Sequence, residues 1–479
     1  MIIESFKNHF ESKFKVYEKS LKKNDNTYYF LVRDLDTQER YLVVQGSEKF
    51  LNVEFQEKYQ IDNKTYYLYK ASHEVLMLLR NIFPELNPGV CGLRKSFGTG
   101  DRLGITTPGH IRALNGSKIF PFFAQQSVRE NERTRRNWKN VLDDAIWGIF
   151  QEGYLGEFGA DADHIKYEED LLKAIESGFT MYTIDPSDYV RNLSSLSEEE
   201  KNKIFSSILE KDNLEKKYLG KTYVFGNTKL EFTPKSLRDA AVVYYDAIEH
   251  VGNMYKVLKS KIENFDFEIS VDETETPTSP LFHVFIVEEL RKRDVIFTNL
   301  ALRFIGEWEK GVDYKGNIEL FGKDLELHSE ISKQFGNYKL SLHSGSDKFS
   351  IYSIFAEKTD GLFHIKTAGT SYLEALKVIL MVNLELFKEI YEFSLTRFAE
   401  DKKSYHISAD LSRIPQSINE NITIELFEND DVRQMLHVTY GSVLNNNHLK
   451  EELFKTLVNF EEVYYNTVAS HIKRHIDLL

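Results

Sequence analysis

Residues 337–376 repeat one local pattern twice, and this repetition constrains the fold more than any other stretch of the chain. In the first copy Lys339, Ser341 and His343 alternate with leucines, which is the period of a β-strand with one polar face. A loop of small residues and a helical pattern follow this strand. A strand, a loop and a helix in this order form the repeating unit of a β/α barrel.

The second copy has the same arrangement over residues 363–376. His364 and Lys366 occupy alternate positions of its strand, and the loop 368–371 leads into a helix with capping-box spacing. Because polar side chains stand near the ends of both strands, we expect these strand ends to contribute to a functional site.

Short alternating segments recur from residue 90 onward, and most of them are followed by a helical pattern. The eight predicted strands are 90–93, 119–125, 155–162, 179–185, 265–272, 296–304, 338–343 and 363–367. Eight such units close into a barrel, so the sequence predicts an α/β fold of the (β/α)8 TIM type.

We expect three regions along the chain: an N-terminal α/β cap over 1–88, the barrel over 89–421 and a helical C-terminal extension over 422–479. The connection over about 186–264, after the predicted fourth strand, is too long for a simple loop and is interpreted as an insertion. A helix near its end has apolar residues in alternating steps of four and three. This helix must therefore pack on the barrel or on another subunit.

The charge balance limits the partners of the chain. There are 74 acidic and 61 basic residues, and a net charge of -13 disfavours a nucleic-acid partner. The sequence has no signal-type N-terminus and no apolar run of bilayer length. The single cysteine, Cys91, favours a reducing compartment. We expect a cytoplasmic protein that binds neither nucleic acid nor membrane, and the sequence leaves open whether it forms a homo-oligomer.

Carboxylates line one face of the predicted fifth strand. Asp266, Glu268 and Asp272 alternate there with apolar residues that would face the helices. Carboxylates that point into a barrel are costly to bury unless they pair with cations, bind a metal or exchange protons. This face is therefore a candidate for chemistry rather than for packing.

Imidazoles and carboxylates also stand near two other predicted strand ends. Asp161, Asp163 and His164 end the third strand region, and His343 ends the seventh strand. Glu309 or His364 could complete the set. This ligand set suits Mn, Fe, Co, Ni or Zn better than Ca, so the sequence predicts a divalent metal cation at the barrel mouth. For any one histidine taken alone, a helix cap or a bond to a backbone carbonyl explains it better.

Two loops of small residues, 344–347 and 368–371, follow the last two predicted strands. Barrels commonly bind anions at these positions through backbone N–H groups and a helix N-terminus, and ordinary turn chemistry explains the small residues equally well. Nearby lysines favour an anionic substrate group. The predicted substrate-binding residues are Ser344, Ser346, Lys348, Lys366 and Thr370.

Several common catalytic motifs are absent from the sequence. The glycines of 96–104 lack the G-x-G-x-x-G spacing of a dinucleotide site. The sequence also has neither a G-x-S-x-G elbow nor an H-E-x-x-H helix, which excludes the hydrolases that depend on them.

Six longer segments share one resemblance. They are SFGTGDRLGITTPGHIRAL (96–114), FGADADHIK (158–166), FEISVDETETPTSP (267–280), LRFIGEWEKGVDY (302–314), KLSLHSGSDKFSIY (339–352) and HIKTAGTSYLEAL (364–376). Together they resemble the tagaturonate epimerase family, also called tagaturonate/fructuronate epimerases. The resemblance covers most of the chain from about residue 90.

This resemblance implies a metal-dependent enzyme of hexuronate catabolism that interconverts the ketouronates D-tagaturonate and D-fructuronate by inverting C4. It implies that Asp163 is the proton acceptor and Glu268 the proton donor. It further implies that the metal ligands are His164, Glu309 and His343, with Glu307 as a near neighbour that could substitute for Glu309.

The position of C4 favours one chemical route. C4 is not adjacent to the ketone, so removing its C–H proton gains no enolate stabilisation. We therefore expect metal-assisted retro-aldol cleavage of the C3–C4 bond and aldol re-addition, with carboxylates handling the protons. Two alternatives remain: a metal-dependent sugar isomerase or aldolase, and a non-catalytic sugar-acid binding protein.

Overall fold

The computed structural model describes residues 2–46, 53–420 and 422–479, and a closed barrel of eight parallel strands forms its centre. The predicted (β/α)8 fold class is therefore confirmed. The predicted region boundaries stay predictions, and the proposed barrel end at 421 lies outside the described residues. Within the described ranges, none of the helices combines the length and apolar character needed to cross a bilayer.

The N-terminal region is an antiparallel sheet with two helices. Its elements are α1 (Ile2–Phe10), β1 (Phe14–Asn24), β2 (Thr27–Asp34), β3 (Arg40–Gln45), β4 (Glu57–Ile61), β5 (Lys64–Lys70) and α2 (His73–Ile82). The sheet has the order β1-β2-β3-β5-β4, and Tyr28 pairs with Gln45 across β2 and β3. The alternation of apolar and polar residues over 28–34 and 41–46 predicts such a hairpin, and the antiparallel pairing of β2 and β3 confirms it.

The first half of the barrel follows this sheet. Its elements are β6 (Ser96–Gly100), α3 (Thr107–Leu114), β7 (Phe120–Ser127), α4 (Val128–Thr134), α5 (Trp138–Glu152), β8 (Gly159–Ile165), α6 (Glu168–Ser177) and β9 (Met181–Ile184). The third strand begins later than the predicted 155–162, and His164 therefore lies within it.

The predicted first strand, 90–93, is wrong, because β6 is the first barrel strand. Gly92 adopts a left-handed φ of 61°, and the backbone N–H groups of Cys91 and Gly92 donate to the Asp266 carboxylate at 2.5 and 2.8 Å. Asp266 begins a barrel strand, so this segment covers the amino end of the barrel. Of its apolar residues only Cys91 is buried, and Leu93 is exposed, so the segment is a plug held by Asp266 and not a paired strand.

The predicted insertion separates β9 from the next barrel strand. It contains α7 (Glu198–Ser207), α8 (Lys211–Tyr218), the hairpin strands β10 (Thr222–Phe225) and β11 (Thr228–Glu231), and α9 (Pro234–Lys261). The apolar stripe of α9 is buried against α6 and other helices of the barrel. Its members are Leu237, Ala241, Tyr244, Ile248, Val251, Tyr255 and Leu258. The sequence predicts that the stripe packs either on the barrel or on another subunit, and it packs on helices of the barrel.

The second half of the barrel closes the sheet. Its elements are β12 (Asp266–Val271), α10 (Pro280–Lys292), β13 (Asn299–Leu302), α11 (Ile318–Gln334), β14 (Lys339–Leu342), α12 (Tyr352–Lys358), β15 (Phe363–Thr367) and α13 (Thr370–Val382). The strand order is β12-β13-β14-β15-β6-β7-β8-β9, and β9 pairs with β12. Residues 337–376, which repeat one pattern twice, thus supply β14 and β15.

The remaining chain is helical. It forms α14 (Leu384–Asp401), α15 (Asp430–Val438), α16 (Tyr440–Asn445), α17 (Asn447–Asn459) and α18 (Glu461–Ile476). Short 3-10 helices occur at Pro84–Leu86, Ser187–Tyr189, Leu193–Ser195, Lys402–Ser404, Leu411–Arg413 and Ile424–Glu428. Helix α18 packs against α3 and α13, so it lies over the seam where the last barrel strand meets the first.

The apolar pattern predicts single helices over 130–152, 371–398 and 452–479, but the structure divides each of them into two. The divisions fall at Arg135, which has a left-handed φ of 55°, at Asn383 and at Phe460. The Asn383 side chain accepts a hydrogen bond from Leu386 N and so begins a new helix. Apolar periodicity continues through such breaks, and for this reason it did not reveal them.

We expect Asp266→Ala to lower the free energy of unfolding by about 2–4 kcal/mol, because it leaves two buried backbone N–H groups without an acceptor. The shift of the urea unfolding midpoint measures this effect. Glu263→Ala, an exposed carboxylate just before β12, is the matched control and should shift the midpoint by less than about 0.5 kcal/mol. Equal shifts in both variants would contradict the role assigned to Asp266.

Candidate active site

A buried lysine lies at the centre of the barrel. Lys366 Nζ is 2.8 Å from Asp161, 2.7 Å from Asp163 and 2.5 Å from Glu268. It also donates to Thr183 Oγ1 at 2.6 Å. One cation therefore contacts carboxylates from two different strands, β8 and β12.

Strand register explains how a side chain as long as lysine fits there. Lys366 pairs with Gly98 of the neighbouring strand β6. A Cβ atom at Gly98 would stand 3.0 Å from Gln125 Oε1, so a larger residue would crowd the centre of the barrel. The sequence alternation in β15 correctly predicts that Lys366 points inward.

The three carboxylates of this cluster differ in their pKa values. Burial raises the pKa of Asp161 to about 7 in spite of the nearby Lys366 charge. Burial alone would also raise the pKa of Asp163 and of Glu268, but the Lys366 charge, joined by His164 at Asp163 and by His343 at Glu268, holds both well below their usual range. Two carboxylates are therefore ionised at neutral pH, while the third is partly protonated.

Two histidines lie above this cluster, towards the carboxyl ends of the strands. His164 Nδ1 is 2.8 Å from Asp163 Oδ1, and His343 Nε2 is 3.0 Å from Glu268 Oε2. Their ring centroids are 5.0 Å apart. His343 Nδ1 also lies 3.4 Å from Asp272 Oδ1, so three carboxylates surround the histidine pair.

The backbone at His164 is unusual, because this residue has a left-handed φ of 56° near the end of β8. Such a conformation is uncommon for a residue with a side chain, and it occurs often at functional sites. The backbone therefore departs from regular strand geometry at His164, where the side chains of Asp163 and His164 both approach His343. Both side chains can therefore contribute to one site although they are adjacent in sequence.

Donor atoms of Asp163, His164 and His343 all lie within 4.8 Å of one another, so these residues form a candidate metal-ligand group. Two imidazoles and a carboxylate match the donor set that first-row divalent metals prefer. His343 Nε2 is buried without a well-oriented hydrogen bond among the described residues, so this nitrogen is available as a ligand. The residues present therefore fit a divalent cation.

Two other groups have comparable spacing: Asp161, Glu268 and His364, and Asp347, His471 and His475. In the first, the Lys366 charge already neutralises the carboxylates and would repel a metal cation. In the second, the ligand atoms already have protein partners, as the following contacts of Asp347 illustrate.

Asp347 holds the C-terminal helix α18 on the barrel. Its carboxylate lies 2.6 Å from His471 Nε2 and 3.0 Å from Arg433, and its backbone N–H donates to His475 Nε2 at 3.1 Å. His475 is therefore a hydrogen-bond acceptor in the protein, and the Arg433 cation takes the place that a metal would need. This cluster is structural.

Glu309, expected as a metal ligand, has its carboxylate directed towards the tail. Glu309 Oε2 accepts hydrogen bonds from Ser408 Oγ at 2.7 Å, Gln434 Nε2 at 2.7 Å and Lys315 Nζ at 3.1 Å. Burial opposes ionisation, but these bonds lower the pKa of Glu309 to about 2. The structure does not bring this carboxylate into the ligand group of His164 and His343.

Some of the residues expected to bind substrate lie at the cavity, whereas others are hydrogen-bonded within the protein. Ser344 lines a cavity at the barrel mouth and accepts a hydrogen bond from Lys310 at 2.9 Å. Ser346 donates to Ala368 O at 3.3 Å, and Lys348 Nζ donates to the carbonyls of residues 309, 312 and 346.

Thr370 Oγ1 lies 2.8 Å from His471 Nε2, in the structural cluster around Asp347. The polar atoms of Ser346, Lys348 and Thr370 are thus engaged within the protein. Of the five predicted substrate residues, Ser344 lines the cavity and Lys366 lies below the histidine pair.

The cavity at the mouth has a volume of about 700 Å³, which is ample for a hexose-sized ligand. Its polar lining includes Arg129, Asp272, Arg303, Lys310, His343 and Ser344. A narrower cavity, also bordered by Arg129 and Lys310, reaches Asp163 and His164. Sequence reasoning missed both cations, although Arg129 directly follows β7 and Lys310 lies in the loop that follows β13, where barrel enzymes commonly place functional residues.

Comparisons with known proteins agree with this geometry. A family model described as tagaturonate epimerase matches residues 17–479. The tagaturonate/fructuronate epimerase of Thermotoga maritima is 58% identical over 481 residues, covering 100% of both chains. The crystal structure of the fructuronate-tagaturonate epimerase of Cohnella laeviribosi complexed with one glycerol is 36% identical, has a TM-score of 0.92, and covers 100% of this chain and 99% of that chain.

The native crystal structure of the Cohnella laeviribosi enzyme is also 36% identical, with a TM-score of 0.92 and coverage of 99% of both chains. The family model and the relatives cover nearly the whole chain, including its N-terminal sheet and its helical tail. The resemblance first seen in six segments is therefore confirmed, and the chain is an isomerase that belongs to the tagaturonate epimerase family.

Proposed function

We propose that this protein interconverts D-tagaturonate and D-fructuronate by inverting C4, as a metal-dependent cytoplasmic enzyme of hexuronate catabolism. The observation that carries the proposal is the pair of ionised carboxylates, Asp163 and Glu268, each of which contacts one histidine of a pair that lines the inner cavity. The names of the relatives support the choice of substrate.

A divalent cation, Mn, Fe, Co, Ni or Zn, would be held by His164 and His343 together with one carboxylate. Asp163 is the carboxylate whose donor atom lies within 4.8 Å of both imidazoles. Glu309 could complete the set only by giving up its contacts with Ser408 and Gln434. When bound, such a cation supplies Lewis-acid polarisation of the substrate ketone.

Side chains of the protein must then remove a proton from the C4 oxygen and later return one to it. One Asp163 oxygen would complete the ligand set, and the other accepts the proton of the C4 hydroxyl. The C3–C4 bond then breaks, and the electron pair of this bond moves into the ketone to form an enediolate and an aldehyde. The aldehyde group rotates, so that the C3–C4 bond re-forms on the opposite face of its carbonyl. Glu268 returns a proton to the C4 oxygen. The proton on Asp163 then passes back to the donor side through the Lys366 cluster, which restores the starting state.

Glu268 must be protonated before it can act as a donor, although Lys366 favours its ionised form. Thr183 Oγ1 lies 2.9 Å from Asp161 and 2.8 Å from Glu268, so a hydroxyl connects the two carboxylates. Asp161, with a pKa of about 7, is the group that holds a proton at neutral pH. We infer that Asp161 supplies the proton that Glu268 delivers.

The first test follows the reaction itself. Incubation of the purified protein with D-fructuronate in D₂O should give D-tagaturonate without deuterium at C4, because the C4–H bond is never broken. NMR of the product measures both quantities. Stoichiometric deuterium at C4 would rule out the cleavage route, and free three-carbon products would identify an aldolase instead.

The second test concerns the two carboxylates. Asp163→Asn and Glu268→Gln should each lower kcat by about 10²–10⁴-fold, because each removes one proton-transfer group. Steady-state kinetics on D-fructuronate measures this. The matched control is Glu275→Gln, an exposed carboxylate at the rim of the same cavity, which should retain wild-type kcat. Turnover near the wild-type rate in Asp163→Asn would remove Asp163 from the mechanism.

The third test identifies the carboxylate ligand by metal content. His164→Gln and His343→Gln should lose most bound metal after dialysis, whereas Glu309→Gln should keep it, because the Glu309 carboxylate faces the tail. Elemental analysis of each variant gives the stoichiometry. Loss of metal from Glu309→Gln but not from Asp163→Asn would assign the third ligand to Glu309.

A further inference from the structure

Two cations at the barrel mouth, Arg129 and Lys310, border both the wide outer cavity and the narrow inner one. Arg129 lies in the first turn of α4, directly after β7, and Lys310 lies in the loop that follows β13. The two side chains therefore reach the same space from different strands of the barrel. A ligand that passes from the outer cavity towards Asp163 must meet both of them.

Arg129 has unused hydrogen-bonding capacity. Its Nε is buried and has no hydrogen-bond partner among the described residues. Its Nη2 lies 3.9 Å from the exposed carboxylate of Glu273, which is too long for a hydrogen bond. The guanidinium lies over the ring of Tyr405, 5.0 Å from its centroid, so its orientation is set by packing.

Lys310 also lacks an anionic partner. Its Nζ donates to Ser344 Oγ at 2.9 Å, and within the described ranges no carboxylate lies at salt-bridge distance from it. An ammonium group has three donors, so two remain for a ligand. Burial, and then the charge of Arg129, lower the pKa of Lys310, although the charges of Glu273, Asp272 and Glu130 oppose this shift.

Other cations near the mouth donate hydrogen bonds to one or more protein acceptors. Arg102 pairs with Glu130 at 2.8 Å, and Lys348 donates to three backbone carbonyls. Arg303 donates to the carbonyls of residues 304 and 306, each at 2.8 Å. Among the described residues, Arg129 has no hydrogen-bonded carboxylate and Lys310 has no carboxylate at salt-bridge distance, so both can bind a further anion.

We propose that Arg129 and Lys310 together bind the carboxylate of the substrate and thereby select sugar acids over neutral ketohexoses. This inference rests on the proposed function and names the substrate group that the two cations recognise. In a ketouronate the carboxylate carbon is two bonds from C4. A substrate whose C4 lies beside Asp163 and His343 therefore brings its carboxylate into the space that the two cations border.

The two side chains supply complementary contacts. A guanidinium offers a planar pair of donors that matches a carboxylate, while an ammonium adds a point charge. A neutral ketohexose has a hydroxymethyl group at this position and cannot offset two like charges. A site with two half-buried cations that lack a hydrogen-bonded carboxylate therefore disfavours the neutral sugar, which leaves their charges without an anion.

The experiment compares D-fructuronate with D-fructose in Lys310→Met and Arg129→Gln. Each variant should lower kcat/KM for D-fructuronate by about 100-fold, mainly through KM, and change kcat/KM for D-fructose by less than about threefold. Calorimetric titration of both sugars into Glu268→Gln, with and without Lys310→Met, gives the same comparison of affinities without turnover.

Two controls make the result specific. Lys323→Met removes an exposed lysine of helix α11, paired with Glu319 outside both cavities, and should leave both substrates unchanged. Lys310→Arg keeps the charge and should restore most of the affinity for D-fructuronate. Equal losses for both sugars, or unchanged D-fructuronate kinetics in both neutral variants, would overturn the carboxylate site. A wild-type protein inactive on D-fructuronate would instead overturn the proposed function.

Discussion

The contact between Lys366 and three carboxylates is the interaction on which the rest of the site depends. Asp161, Asp163 and Glu268 are buried, and a buried carboxylate without a nearby cation would take up a proton. The Lys366 ammonium keeps two of them ionised, while its own burial is offset by their charge. The barrel centre is thus a charged core whose parts stabilise one another only when all are present.

A second lysine plays a related part at the amino end of the barrel. Lys339, at an inward position of β14, donates to Ser96 Oγ at 3.0 Å and to Arg94 O at 3.2 Å. Asp266 lies nearby and accepts the backbone N–H groups of the plug that contains Cys91. The interior therefore has a closed, structural polar layer below and a reactive polar layer above, each built around one cation.

Much of this arrangement could be predicted from alternation along the strands. The period of two in β12, β14 and β15 correctly indicates that Glu268, His343 and Lys366 face inward. The same rule failed at 90–93, where the residue pattern resembles that of a strand although the segment forms a plug. It also gives no information about loops. Arg129 and Lys310 lie just beyond strands, so only the closed barrel brings them together. The direction of the Glu309 carboxylate depends on Ser408 and Gln434, about a hundred residues away, and no local pattern contains that information.

The contacts of Glu309 and Asp347 have a consequence for how the protein becomes functional. Tyr405 and neighbouring residues form one wall of the substrate cavity, and α18 fastens the loop after β14 through His471 and His475. All of these residues follow the last barrel strand in the chain. On a translating ribosome the eight strands emerge before this wall and its fastening. The newly made barrel therefore has its charged centre in place while its pocket is still open on one side.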